Sequence, residues 1–303
     1  MDVEAILREG EVPGDWMDLI EAIHREKGIA LILGAPDTGK STLAHFLVVQ
    51  LCRMGNVVAL VDGDIGQSIL GPPTTIGLAL FDFAPKQLDN IQLIVSYFVG
   101  SITPRGHMLE MLVGTKRIAD RASQLDPGII VIDTTGFVTG ETAWELKFQK
   151  VDLLKPTHLI GLQRRREIEG LLKPHHFRPD MAIHRLKIPD KIRMKSPDQR
   201  RSNRSRKFAA YFQEVKLYEK SLDGIKVVSP FKVRYRGKGL KGVLIGLNDE
   251  ANFNLGLGIL ENLDVHRGTI SFVAPELDLT KIRIIRIGSI EVDLFGNDKS
   301  HHH

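Results

Sequence analysis

Residues 34–41 read Gly-Ala-Pro-Asp-Thr-Gly-Lys-Ser, filling every fixed position of G-x-x-x-x-G-K-[ST]. The motif works only where a strand runs into a glycine-rich loop that opens a helix. Both flanks meet that demand. IALILG (29–34) is a short apolar run ending in glycine, and STLAHFLVVQLCRMG (41–55) reads as a helix closed by Gly55. Such a loop turns its backbone N–H groups inward around phosphate oxygens, and the helix start adds its positive dipole end. Gly34, Ala35, Pro36, Asp37, Thr38, Gly39, Lys40, Ser41 and Thr42 are therefore the expected triphosphate cradle. Lys40 is expected to reach the β- and γ-phosphates, and Ser41 to ligate Mg²⁺. The loop leaves the acceptor open: water in a switch, water in a motor, or a substrate hydroxyl in a kinase.

Further apolar runs repeat the strand–helix alternation. NVVALVDGD (56–64), QLIVSYFVG (92–100), GIIVIDTTG (128–136) and THLIGLQ (157–163) read as strands, and MLEMLVGTKRIADRASQLD (108–126) as an amphipathic helix. Alternation of this kind predicts an α/β fold, a P-loop NTPase parallel sheet flanked by helices. After about residue 224 the runs turn short and strand-like, which predicts a smaller β-rich C-terminal domain. The expected organisation is an N-terminal helical segment (1–27), a P-loop domain (28–222) with a basic lid at about 173–207, and the β-rich domain (223–300). His301, His302 and His303 are set aside as a tag remnant. Four prolines among many basic residues make 173–206 read as loop and short helix.

Composition excludes several classes. No apolar run approaches the roughly 18 residues of a membrane span, so no membrane partner is expected. The single cysteine, Cys52, allows neither an internal disulfide nor a cysteine zinc site, and the N-terminal stretch is acidic and broken by Pro13 and Gly14. A cytoplasmic location is the expectation. Net charge is +4, but residues 160–207 hold 15 Lys/Arg against 5 Asp/Glu, a net of +10 that leaves −6 elsewhere. A basic segment in an otherwise acidic chain is a candidate contact for anions or nucleic acid; its alternative is a solvated loop. Arg164, Arg165 and Arg166, just after the fifth predicted strand, are open to both readings.

Asp62-Gly63-Asp64-Ile65-Gly66-Gln67 follows the second predicted strand. Alternation along an extended chain puts Asp62 and Asp64 on one side, so one can serve a metal while the other accepts a proton from an attacking hydroxyl. Asp133-Thr134-Thr135-Gly136 has the D-x-x-G form with which switch GTPases and ATPases sense the γ-phosphate. Neither a guanine-reading N-K-x-D segment nor an LSGGQ signature occurs in the chain.

With these motifs in place, the sequence resembles the polynucleotide 5′-hydroxyl kinases of RNA processing, which include archaeal enzymes and eukaryotic kinases of tRNA, mRNA 3′-end and pre-rRNA maturation. The D-x-D-x-G-Q signature matches in full. A segment like the family's substrate clasp spans residues 100–107, a G-[WF] element falls at Gly136-Phe137, and an R-x-x-x-R lid motif runs from Arg200 to Arg204. The resemblance implies that Lys40 and Ser41 handle ATP phosphates and Mg²⁺, with Asp62 as a further metal residue. It makes Asp64 the base for the 5′-hydroxyl and assigns Gln67, Thr103, His107, Gly136 and Phe137 to the incoming strand. Arg200 and Arg204 would close over the transferring group. Family members often carry tryptophan where this chain has Phe137 and asparagine near His107.

The expected function is therefore ATP- and Mg²⁺-dependent transfer of the γ-phosphate to the 5′-OH end of RNA, with DNA left open as a second acceptor. The alternatives are a partner-regulated switch ATPase or GTPase, a nucleoside kinase, and a binding module that holds nucleotide and RNA without chemistry.

Overall fold

The computed structural model describes residues 13–85, 91–189, 192, 194–229 and 240–300. Residues 301–303, residues 1–12 of the expected N-terminal segment, and positions 86–90, 190, 191, 193 and 230–239 lie outside the described residues. By contacts the chain forms two compact units. One comprises Met1–Asp64, Ile76–Ile94 and Pro104–Lys195; the other comprises Ile65–Thr75, Val95–Thr103 and Ser196–His303.

The first unit is an α/β layer. Its strands are β1 (Gly28–Gly34), β2 (Val58–Gly63), β3 (Thr75–Phe81), β5 (Ile129–Thr134), β6 (His158–Gln163) and β7 (Ala182–Lys187). They lie in the order β3-β2-β5-β1-β6-β7. All neighbours are parallel except β2 and β3, which pair antiparallel, so the sheet is mixed at that edge. The central strands β1, β2 and β5 are apolar and buried along nearly their whole length, as strands covered on both faces must be. The covering helices are α1 (Gly14–Arg25), α2 (Lys40–Arg53), α3 (Met108–Ser123) and α4 (Glu141–Leu154). Helix α1 buries Trp16, Leu19, Ile20 and Ile23 on one face, and Trp16 meets Phe46 of α2 with ring centroids 5.3 Å apart. A four-residue helix, α5 (Glu169–Leu172), precedes β7.

Residues 173–206 differ from the expected loop and short helix. They contain β7, which extends the sheet beside β6, and most of α6 (Pro197–Tyr211), a fifteen-residue helix. The physical reason was in the sequence. Ser196 caps the helix by accepting from the Gln199 N–H while the Gln199 side chain accepts from the Ser196 N–H, with Pro197 at the first position. This is a capping box with proline where its missing N–H costs nothing. Pro197 thus marks an element start, whereas Pro179 and Pro189 lie outside helices and strands.

The second unit is β-rich. β10 (Val243–Asn248) lies between β11 (Asn254–Asp264) and β13 (Ile284–Val292), pairing antiparallel with both. β4 (Val95–Phe98) pairs with β11, and β12 (Thr269–Ala274) lies between β11 and β8 (Lys216–Ser221). β9 (Lys226–Val228) and β14 (Asp298–Ser300) pair with β13. One face packs Val243, Ile245, Leu260, Phe272 and Ile285 together. The other packs Phe208 and Phe212, at the end of α6, against Phe98, Leu244, Leu257 and Ile290. The expected boundary at 222 falls inside this unit, because α6 packs with the C-terminal strands through Phe208, Phe212 and Arg204. No described helix is long and apolar enough to cross a membrane.

Candidate active site

The phosphate loop forms where β1 hands over to α2. Gly39 takes φ +88° at the position before the helix, a conformation that favours glycine. Gly34 is needed for space: a Cβ there would stand 2.6 Å from Thr38 Oγ1 and 2.8 Å from the Leu162 carbonyl oxygen. Lys40 is buried, and its Nζ donates to the Ala35 carbonyl at 2.8 Å. Thr38 Oγ1 donates to the same carbonyl at 2.9 Å. Arg164, exposed after β6, donates to the Asp37 carbonyl at 3.0 Å, so it belongs to the rim of this loop.

Two carboxylates lie side by side at the carboxyl ends of β2 and β5. Asp62 and Asp133 are register partners, and both are fully buried. Ser41 Oγ donates to Asp133 Oδ2 at 2.6 Å, tying the phosphate-loop serine to the β5 aspartate. The other Asp133 oxygen accepts from the Thr134 N–H at 2.8 Å. Burial pushes the Asp133 carboxyl up to about 7; Lys40 and the Ser41 hydroxyl oppose the rise, while Asp62 and Asp64 add to it. Asp64 is half-buried, and its N–H donates to Asp62 Oδ1 at 3.1 Å. Hydroxyl and carboxylate oxygens of this kind make a hard donor set, the kind Mg²⁺ takes beside phosphate oxygens.

Gly136 lies against the phosphate loop, since a Cβ on it would stand 2.6 Å from Pro36 N. Beside it, the half-buried Phe137 ring carries the Arg105 guanidinium carbon 5.5 Å from its centroid. His107 is buried at the start of α3. Lys40, Ser41, Asp62, Asp64, His107, Gly136 and Phe137 thus all belong to the first unit.

Gln67, Thr103, Arg200 and Arg204 belong to the second. Gln67 Nε2 donates to the Arg200 carbonyl at 3.1 Å. The Thr103 N–H donates to Ser101 Oγ at 3.3 Å, and the preceding Gly100 carbonyl accepts from the Ser289 N–H at 2.8 Å. Arg204 pairs with Asp298, NH2 to Oδ2 at 3.1 Å, where the Arg and Asp side chains are 15% and 3% exposed.

The family model of the mRNA cleavage and polyadenylation factor CLP1 P-loop matches residues 34–214, from the phosphate loop through α6. This chain belongs to the CLP1 P-loop family. The polyribonucleotide 5′-hydroxyl-kinase of Methanocaldococcus jannaschii is 32% identical to it, aligning over 95% of this chain and 94% of its own length. That of Pyrococcus abyssi is 30% identical over 95% of each. Among solved structures, Clp1p in its complex with a Pcf11p fragment is similar with TM-score 0.66 and 16% identity, covering 90% of this chain and 77% of that one. That likeness supports the fold.

The structure adds two features to the motif reading of this CLP1-family site. Asp133, in the D-x-x-G form associated with γ-phosphate sensing, is tied to the phosphate loop by its bond to Ser41. Lys147 of α4 was not singled out at all. It is buried, and its Nζ donates to Thr134 Oγ1 at 2.9 Å and to the Thr135 carbonyl at 2.8 Å. A lysine inside a helical run reads as a solvated face, and only β5 packed above it shows otherwise.

Proposed function

We propose that this chain transfers the γ-phosphate of ATP to the 5′-hydroxyl end of an RNA strand. The observation that carries the reading is near-full-length similarity to kinases named for this activity, at about 30% identity, in a chain that keeps the phosphate loop and the complete D-x-D-x-G-Q signature.

In this reading the loop amides and Lys40 hold the triphosphate, leaving the γ-phosphorus open to in-line attack. The 5′-oxygen forms the new P–O bond as the bond to the β-phosphate oxygen breaks and ADP leaves. Asp64 takes the 5′-hydroxyl proton, and no covalent enzyme intermediate forms. Ser41 and Asp62 would hold Mg²⁺, with Asp133 orienting Ser41. When bound, the ion would neutralise charge on the phosphate oxygens. Gln67, Thr103, His107 and Gly136 serve the strand's first nucleotides, and the Phe137 ring supplies a stacking face for the terminal base. Arg200 adds positive charge to the transferring group. Arg204, already paired with Asp298, serves by holding α6.

The test is γ-labelled ATP and Mg²⁺ offered with 5′-hydroxyl RNA, 5′-phosphorylated RNA or a free nucleoside. Label on the 5′-hydroxyl strand alone is expected. Phosphate release without a labelled strand would point to a switch NTPase, and equal labelling of the nucleoside to a small-molecule kinase.

A further inference from the structure

Helix α4 carries two lysines, Lys147 and Lys150, each 1% exposed. Both ammonium groups are out of water, which is costly unless each is hydrogen-bonded or paired. Their partners differ. Lys150 Nζ donates to Thr115 Oγ1 of α3 at 2.9 Å, joining two helices away from the phosphate loop. Lys147 donates to Thr134 Oγ1 and the Thr135 carbonyl, the two residues that follow Asp133. Thr134 Oγ1 in turn donates to the Ile32 carbonyl of β1 at 2.7 Å. A continuous run of hydrogen bonds therefore links α4, the end of β5 and the strand that feeds the phosphate loop. At its other end, Asp133 is held by the Thr134 N–H and grips Ser41, while Gly136 abuts Pro36.

We propose that Lys147 is a positioning residue of the phosphoryl-transfer site, clamping Thr134 and Thr135 so that Asp133 stays aimed at Ser41. The inference rests on the kinase reading for its activity arm only. The environment agrees: burial, Lys150 and Lys40 all disfavour the Lys147 ammonium, and Asp64 and Asp133 favour it. The net direction is down, with burial the largest cause.

The matched experiment compares Lys147→Met with Lys150→Met, which remove similarly buried ammonium groups from one helix. Lys147→Met is expected to lower kcat for strand labelling by about 100-fold, the scale of a small misplacement in a reacting site. KM for ATP should change by less than about threefold, because the loop amides and Lys40 remain. Lys150→Met should keep kcat within about twofold of wild type. Amide exchange at Thr134, Thr135 and Gly136 should quicken in the first variant and not in the second. Equal loss of kcat in both variants, or loss in neither, would overturn the proposal. If Lys147→Met does not fold, Thr134→Val decides: lowered kcat in a folded protein supports the clamp, and full kcat overturns it. If wild type labels no strand, the kinase reading falls by itself, and the exchange arm still decides the clamp.

Discussion

In the proposed mechanism Asp64 and Lys40 divide the work at the residue scale, and substitutions should separate their tasks. Lys40→Ala removes the side chain expected on the triphosphate and should abolish both ATP binding and transfer. Asp64→Asn keeps the shape but loses the proton acceptor. Transfer should fall by roughly 10²–10⁴-fold while calorimetry still reports ATP binding. Near-normal transfer by Asp64→Asn would remove it as the base. Lys150 supports a stability test. Burial lowers its ammonium from 10.5 to about 8. Below pH 8 both folded and unfolded chains carry the proton, so the full penalty, roughly 3 kcal/mol, opposes folding. Between pH 8 and 10.5 the unfolded chain binds more protons than the folded one, so stability rises with pH. Lys150→Met should be more stable than wild type at pH 7, with the gap closing by about pH 10.5. Denaturant melts across that range check it, and a constant gap would contradict it. The lysines also mark where residue-level legibility ended. Lys40, Ser41 and Asp64 stand in motifs whose spacing marks them as candidates. Lys147 stands in ETAWELKFQK, where nothing local distinguishes a solvated lysine from one beneath a neighbouring strand.

Among the elements, α6 is anchored within the second unit. Its aromatic end is buried in the β-rich core, Tyr211 Oη accepts from the Leu257 N–H at 2.8 Å, and Arg204 is paired with Asp298. Gly296 sits so close that a Cβ would stand 1.9 Å from the Ser205 carbonyl oxygen. Asp298→Ala would leave the Arg204 guanidinium largely buried without its carboxylate, a loss of about 3 kcal/mol measurable by chemical denaturation. Ser196→Ala removes one half of the capping box and should cost about 1 kcal/mol. An Asp298→Ala protein as stable as wild type would show that the pair does not anchor the helix. Legibility at this scale followed burial. β1, β2, β5 and β6 were readable as apolar runs because strands covered on both faces need no alternation. β7, AIHRLK, carries His184, Arg185 and Lys187 at the sheet's edge, where side chains meet water, so it read as part of a basic loop. β3, TIGLALF, is apolar but runs antiparallel to β2, a direction the strand–helix alternation did not suggest.

For the whole molecule, the motifs revealed an α/β unit and a β-rich unit, but not that the chain passes between them. Residues 65–75 and 95–103 pack with the C-terminal strands, a long-range pairing that local pattern does not encode. The basic excess of residues 160–207 bears on the proposed RNA substrate through salt dependence. Strand affinity should fall linearly in log–log with salt, each phosphate contact contributing a slope of about 0.7. Replacing Arg164, Arg165 and Arg166 together by alanine should flatten that slope; an unchanged slope would place the strand's contacts elsewhere. The central claim concerns where one phosphate goes. The direct measurement is alkaline hydrolysis of RNA recovered after incubation with γ-labelled ATP, Mg²⁺ and this protein. The account predicts label only in the 2′(3′),5′-bisphosphates of the first nucleoside. Label found only as inorganic phosphate, with none in the strand, would contradict it.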